Sequence, residues 1–181
     1  MATCRDVIVR ALRMTGVIGR GDEPEADEAQ DAMIVLQSLY DQWLIGGMFG
    51  RLRDTYETGD YDAQAGQRVF VTDGVVTLPV ITDECPWRDL AAIEVNDDNG
   101  RKVWLWDRTE WVRIDNLTMD DKAPLAERGM NGLAACLAMA CAEEYGNVLM
   151  GAGVVAQANA FRSALFYKMG STQDIVPGVY F

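Results

Sequence analysis

The sequence predicts an α+β protein with a mainly helical core of four helices, a small antiparallel β-sheet inserted between helices two and three, and an extended C-terminal arm. Apolar residues recur every three or four positions near both ends of the chain, as they do in helices. Between these regions the period changes to two, as it does in strands. The chain closes on an apolar stretch whose Pro177-Gly178 pair forbids a helix. We therefore expect a helical core (1–54 and 118–170), a β lobe (55–117) that stands apart from it, and an arm (171–181).

The first helix is predicted by its ends as well as by its apolar face. Thr3 and Asp6 have the spacing of a capping box, in which each side chain accepts the other residue's backbone N–H. Gly16 is a natural C-terminal stop because glycine adopts the left-handed conformation without steric cost. The residues that share the apolar face between these ends are Val7, Ile8, Ala11 and Leu12.

A short glycine-marked link leads to the second helix, which we expect to begin at Pro24 and to end at Gly46-Gly47. Acidic residues fill its first turn, where the positive end of the helix dipole favours them. Its apolar stripe consists of Ala29, Ala32, Met33, Leu36, Tyr40 and Trp43. Ile34 and Val35 lie off that stripe. Isolated exposed apolar residues are common, but contact with a neighbouring subunit would account for both.

The inserted sheet is predicted by two hairpin signals. Asp73-Gly74 separates two short β-rich runs, and 97–100 (DDNG) separates two longer ones. Four of the five tryptophans fall in this insertion or at its edge, and Trp104 and Trp106 share one face of their strand. The run 110–114 fits either a strand or one helical turn.

The third helix is the centre of the predicted core. It is expected to start at Pro124, and it is apolar on nearly every side, so it requires neighbours on several sides. Many of its residues are small and allow other helices to approach closely. A fourth helix follows the break at Gly151 and stops at Gly170. The segment after it is the arm, which either folds back loosely or docks on a partner.

Composition limits the classes of function. The 181-residue chain carries 28 acidic and 16 basic residues, a net charge of −12, so on average it repels nucleic acid. No apolar run reaches the length of a membrane span, and the N-terminus lacks the pattern of a signal peptide. The four cysteines form no CxxC pair and fit reduced, buried thiols of a protein made in a cytoplasm.

The motifs of catalysis are missing from the sequence. Because the chain has no histidine, His-based triads, general bases and His-containing metal sites are excluded. The glycines of 16–21 match no phosphate-binding spacing, and the loop at 97–100 lacks the carboxylates that a calcium loop needs at both ends. Glu143 and Glu144 diverge on their helix and cannot face each other as a glycosidase pair. We expect no catalytic residue, no metal site and no cofactor.

One stretch still allows three interpretations. Residues 101–113 interleave basic side chains with tryptophans. Such a pattern packs in a half-buried sheet, forms an exposed protein-docking face, or binds single-stranded nucleic acid by stacking.

The order of elements resembles the head-to-tail adaptor proteins of tailed bacteriophages, which are tail accessory or head-completion proteins. The resemblance lies in RDVIVRALRMTGV (5–17) followed by ADEAQDAMIVLQSLYDQWLIGG (26–47), a helix, a loop and an acidic helix that ends in Trp and glycines. A β insertion, an alanine-rich helix with EEYG and an extended tail complete the order. Shorter members of this family have a smaller middle section, so the 55–117 insertion is a departure.

The resemblance implies a structural virion protein at the head–tail junction, made in the host cytoplasm and arranged as a ring of about twelve copies. Such a ring docks on the portal protein, holds a downstream tail or nozzle protein, and lets DNA pass without specific binding. The expected portal-docking arm comprises Ile175, Val176, Pro177, Val179, Tyr180 and Phe181. The expected acidic face of the DNA channel comprises Asp22, Glu23, Asp27, Glu28 and Asp31. The expected tail-protein docking residues are Trp104, Trp106 and Trp111, and the inter-subunit residues are Ile34 and Val35.

Two alternatives belong to other classes of function. A phage-associated, carboxylate-dependent cell-wall hydrolase would need two facing carboxylates with one of them in an apolar pocket. A nucleic-acid-binding module that uses 101–113 would show salt-sensitive affinity for DNA.

Overall fold

A computed structural model describes residues 2–46, 54–57, 70–72, 75–78, 92–97, 100–107, 110–145 and 149–170. Within these ranges the chain forms four helices, as predicted: α1 (Cys4–Thr15), α2 (Ala26–Ile45), α3 (Ala126–Glu144) and α4 (Ala152–Gly170). The strands lie between α2 and α3: β1 (Asp54–Glu57), β2 (Phe70–Thr72), β3 (Val75–Thr77), β4 (Ala92–Asp97), β5 (Gly100–Trp106) and β6 (Trp111–Arg113). The α+β class and the position of the insertion are confirmed.

The strands form two sheets, and the larger one differs from the expectation in one respect. β2 and β3 pair as the predicted hairpin, with Val71 opposite Val76. The larger sheet has the order β1-β4-β5-β6. Its β4–β5 and β5–β6 pairs are antiparallel, and 110–114 contributes the strand β6. However, β1 lies parallel to β4, with Asp54 opposite Ile93, so this sheet is mixed. A parallel pair joins distant segments without a turn, and no local pattern marks it.

The first helix begins and ends through the local contacts that the sequence predicts, whereas α2 ends before Gly46 as predicted but begins at Ala26, two residues after the expected Pro24. Thr3 N–H donates to Asp6 Oδ2 over 2.9 Å, and Asp6 N–H donates to Thr3 Oγ1 over 3.3 Å, which completes the capping box. Gly16 ends α1 with a φ of 79°. At the start of α2, Glu25 N–H donates to Glu28 Oε2 over 3.0 Å, so one acidic side chain of the first turn caps the helix.

Helix α3 is buried on all sides along its middle, as predicted. Six consecutive residues, 133–138, are buried, and α3 packs against α1, α2 and α4. It begins two residues after Pro124, at Ala126, because Leu125 adopts a left-handed conformation with a φ of 68°. Leu125 is fully buried despite this conformation. The loop therefore turns sharply just before the central helix.

The helices and the larger sheet share one hydrophobic core. Val103 and Leu105 of β5 are fully buried and belong to the same cluster of buried residues as α1, α2 and α3. Gln37 of α2 links the two parts, because its side-chain amide donates to Ile114 O and accepts from Leu117 N–H. The described strands β4 and β5 of the insertion therefore pack on the helices, and the division into 1–54, 55–117, 118–170 and 171–181 stays a prediction. In the parts of the chain that the structure describes, no helix is long and apolar enough to cross a membrane.

Candidate interaction surfaces

The exposed side of α2 carries both acidic and large apolar residues. Asp27, Asp31, Ile34, Ser38 and Ile45 recur at spacings of four, three, four and seven, which places them on one helical stripe. We call this stripe the α2 outer face. All five residues are exposed, and Ile34 and Ile45 remain 59% and 75% exposed. Single exposed apolar residues are common on protein surfaces, and these two lie about 16 Å apart along the helix, but one neighbouring helix could cover both, so this face is a candidate contact surface.

Val35 corrects one of the two inter-subunit assignments. It is only 8% exposed and lies in the core cluster, while its neighbour Ile34 points outward. The reason is that the buried side of α2 is broader than the predicted stripe and also takes in Leu39 and Leu44. Ile34 alone keeps the geometry that an inter-subunit residue needs.

The acidic residues predicted for a DNA channel occupy two places. Asp22 and Glu23 lie exposed in the loop before α2, where the Arg13 guanidinium donates to the backbone carbonyl of Asp22 over 3.0 Å. Asp27 and Asp31 lie on the α2 outer face. Within the described ranges, none of these four carboxylates has a basic group at ion-pair distance. Glu28 is half-buried and serves as the helix cap instead.

The tryptophans predicted to dock a tail protein differ in their accessibility. Trp106 is only 9% exposed, and its ring lies against that of Trp111 with 5.5 Å between the centroids. Trp104 and Trp111 are half-buried. Pairing across the strands places Trp106 beside Trp111 and buries it, which the spacing of residues along one strand cannot show. Trp104 and Trp111 are therefore the tryptophans of this group that remain accessible.

Arg101 and Arg113, two of the basic residues of 101–113, both lie against carboxylates. Arg101 Nε lies 2.9 Å from Glu94 Oε1, and its Nη1 lies 3.2 Å from Asp41 Oδ1. Arg113 makes a two-pronged contact with Asp115 at distances down to 2.7 Å. Burial alone would raise the pKa of Asp115, but Arg113 and the Val103 N–H outweigh it and hold that pKa below its usual value. Because these guanidiniums already bind carboxylates, this pattern gives little support to the nucleic-acid alternative.

A buried polar junction holds the sheet to the start of α3. Asp107 is 2% exposed, and its carboxylate binds Lys122 Nζ over 3.2 Å and accepts the Leu125 N–H over 3.2 Å. Lys122 also binds Glu110 Oε1 over 2.9 Å. Nearby, the Tyr40 hydroxyl donates to Pro124 O over 2.6 Å. No sequence pattern marks this junction, because its partners lie on separate elements and no short spacing relates them.

The electrostatics of the junction favour a structural role. Burial alone would lower the pKa of Lys122, but its bonds to Glu110 and Asp107 outweigh burial and raise that pKa above its ordinary value. Burial raises the pKa of Tyr40 well above its ordinary value. Lys122 therefore stays charged at neutral pH and sits between the two carboxylates, so they do not face each other across an open cleft as the hydrolase alternative requires.

The surface beside this junction is a shallow groove of about 370 Å³ lined by residues of 110–122, among them Glu110, Trp111 and Lys122. Of its charged side chains, Glu110, Arg113 and Lys122 form ion pairs, and Asp121 accepts hydrogen bonds from Thr118. In the part of the chain that the structure describes, no group of three or more Cys, Asp or Glu residues is arranged to hold a metal ion.

The cysteine thiols of the described ranges have low reactivity. Cys4, Cys136 and Cys141 are buried and carry free thiols. Burial raises the pKa of Cys4 to about 12, and it also raises that of Cys136. Thiols with raised pKa values contain little reactive thiolate at neutral pH.

The predicted portal-docking arm lies outside the described residues, and its role stays a prediction. These residues are Ile175, Val176, Pro177, Val179, Tyr180 and Phe181.

No protein-family model matches the chain, and no curated protein matches it either.

Proposed function

We propose that this chain is a structural subunit of a bacteriophage head-to-tail connector, which assembles as a ring on the portal protein and lets DNA pass through its centre. In this role the protein has no catalytic site and no cofactor, and it works at the head–tail junction of the virion. The observation that carries the proposal is the α2 outer face. It lies within the segment 5–47 whose pattern resembles the adaptor family, and it exposes Ile34 and Ile45 where a neighbouring copy can cover them.

The other contacts of the ring follow from the remaining surfaces. The arm, 171–181, docks on the portal, because its apolar residues favour burial and Pro177-Gly178 keeps it from extending α4. Trp104 and Trp111 dock the downstream tail or nozzle protein, since accessible tryptophans are favoured in protein interfaces.

The acidic surplus suits a channel through which DNA slides. Asp22 and Glu23 are exposed and lack a basic partner among the described residues, so they repel phosphates. This repulsion acts over a Debye length of roughly 8–10 Å at ordinary ionic strength. DNA then passes close to the wall without binding it.

The proposal is tested by replacing Ile34 and Ile45 together with Asp and measuring the mass of the complex with the portal ring. Both side chains are exposed, so the variant should fold like the parent. We expect the parent to load the portal with a full ring and the variant to load few copies. The control replaces Leu149, which is 97% exposed and lies off α2, with Asp. A double variant that loads the portal like the parent would exclude this face as the contact.

A further inference from the structure

We infer that the α2 outer face of one copy binds the arginine face of α1 in the next copy, so that the subunits join through two different, oppositely charged surfaces. The arginine face consists of Arg10 and Arg13 on α1, together with Arg20 in the turn that follows. This inference rests on the proposed function only for its setting in a ring. It identifies the partner surface that the ring contact requires.

The two surfaces carry opposite charge because two neighbouring segments of the chain differ in their charged residues. Residues 2–20 contain four arginines and one acidic residue, whereas 22–41 contains seven acidic residues and no base. Arg10 and Arg13 are three apart, so they lie on one side of α1, and both are exposed, as is Arg20. Asp6, the one acidic residue of 2–20, lies on the same side of α1, where it forms the capping box with Thr3. The arginine face is therefore positive on balance, whereas α2 carries only acidic charge.

Among the residues that the structure describes, these charges are not neutralised. In the described ranges, neither Arg10 nor Arg20 has a carboxylate at ion-pair distance, and Arg13 donates to a backbone carbonyl. Asp27 and Asp31 likewise lack a basic partner there. By contrast, Arg101 and Arg113 both bind carboxylates. The two surfaces of α1 and α2 therefore keep their charge available for a second copy.

Because the molecule is strongly acidic, contact between two copies is favoured where surfaces of opposite charge meet. Two copies with a charge of −12 each repel one another at most orientations. Like charges placed together at an interface cost several kcal/mol, so contact is favoured where a basic surface meets an acidic one. Ile34 and Ile45 then add apolar area to the same contact. Arg10 and Arg13 can cover them with the methylene stems of their side chains.

Contact between two different surfaces has a geometric consequence. A heterologous contact repeats from copy to copy and closes into a ring when the rotation between copies is right. It also settles a conflict between two predicted sites, because Asp27 and Asp31 share their stripe with Ile34. One stripe cannot face both DNA and a neighbouring subunit. The inference assigns these two residues to the neighbour, so that of the four exposed carboxylates only Asp22 and Glu23 remain for the channel, in the loop that Arg13 holds at the edge of the arginine face.

The test is an exchange of charge between the two faces in the full-length chain. The acid-reversed variant carries Asp27→Arg and Asp31→Arg, and the base-reversed variant carries Arg10→Glu and Arg20→Glu. Arg13 is left unchanged because it holds the loop through Asp22 O. The control for the acid-reversed variant, Glu127→Arg with Glu143→Arg, makes the same charge change at exposed positions of α3. The base-reversed variant changes the net charge in the opposite direction, and its control is the mixture with the acid-reversed variant. Thermal unfolding verifies that each variant is folded, and sedimentation measures self-association over protein concentration.

We expect the parent and the control to self-associate alike, and each reversed variant to associate about tenfold or more weakly. Mixing the two reversed variants should restore association, because every contact in an alternating assembly is then complementary. A parent that stays monomeric up to about 1 mM would overturn the inference, as would reversed variants that associate like the parent or a mixture that is no stronger than its parts. Binding of the parent to the portal ring is measured separately, so loss of this contact is distinguishable from failure of the connector role.

Discussion

At the residue scale, we expect the free energy of unfolding to depend strongly on the side chains of the buried junction around Lys122. Lys122→Met removes the cation beside Asp107, which is 2% exposed and cannot regain its hydration. Leaving a buried charge without its partner costs about 3–5 kcal/mol, so the free energy of unfolding in denaturant should fall by that amount.

Two further variants separate this effect from the simple loss of a charge. Adding Asp107→Asn to Lys122→Met removes the stranded carboxylate and should recover part of the lost stability. Arg5→Met breaks the exposed pair with Asp120, whose atoms lie 3.5 Å apart, and should change stability by less than about 1 kcal/mol. If Lys122→Met proves as mild as Arg5→Met, the junction does not hold the sheet to α3 in the way described.

Asp115 gives the fold a dependence on acid pH. Its pKa is lower in the folded protein than its ordinary value of 3.8, so the folded state binds its proton less readily than the unfolded state. The stability that this provides is fully present above the unfolded pKa and is lost as the pH falls through the folded pKa. Asp115→Asn should therefore be less stable than the parent at pH 7, and it should lose less stability than the parent between about pH 5 and pH 2. Equal slopes of stability against pH for the two proteins would contradict this role.

The role or burial of a single residue was predictable where it depends on neighbours in the sequence. The capping box of Thr3 and Asp6 and the stop at Gly16 depend on contacts within four residues, and both are confirmed. Val35 and Trp106 were assigned to surfaces and are buried, because distant elements cover them. Lys122 and Asp107 gave no signal, since only the folded chain brings them together.

At the element scale, the packing of α4 on α3 depends on glycine. A Cβ at Gly132 would lie 2.5 Å from the Phe161 side chain, so Gly132→Ala forces the two helices apart. Overpacking of this kind costs about 1–3 kcal/mol, although alanine otherwise favours a helix.

The matched control for that variant is Gly153→Ala, at the start of α4. No atom lies within 4 Å of a Cβ at that position, so this change should be neutral or slightly stabilising in thermal unfolding. Adding Phe161→Ala removes the ring atoms that lie 2.6 Å from this Cβ but keeps the Phe161 Cβ at 2.5 Å, so it should relieve only part of the clash, and the two changes should cost somewhat less together than the sum of their separate effects. Fully additive effects would show that the ring does not pack over this glycine.

Elements whose contacts lie close together in the sequence were predictable, and elements that pair over a long stretch of chain were not. Four helices, the β2–β3 hairpin and the β4–β5 hairpin follow from period and turn residues, and the structure contains them all. The parallel pairing of β1 with β4 joins positions about 40 residues apart and has no turn signal of its own. The shift of the α3 start to Ala126 depends on the left-handed conformation of Leu125. A sequence pattern predicts this conformation for glycine and not for leucine.

At the scale of the whole molecule, charge and exposed apolar surface support one account of function. The chain is strongly acidic, yet its arginine face and α2 outer face keep opposite charges unpaired within the described ranges. The sequence predicted the acidic segment and Ile34. It did not predict that they share one stripe with Ile45, because the buried width of α2 is set by tertiary packing.

The most direct test of the connector role is the mass of the portal ring after mixing with the full chain and with a chain that lacks residues 171–181. One arm binds weakly, because burial worth about 1.5–3 kcal/mol per large side chain is offset by about 1–2 kcal/mol per ordered residue. Many arms on one ring bind strongly together. We predict that the full chain adds about twelve copies to the portal, and that the truncated chain unfolds at nearly the same temperature but adds none. A full chain that leaves the mass of the portal unchanged would contradict the connector role, and a truncated chain that binds like the parent would contradict the arm.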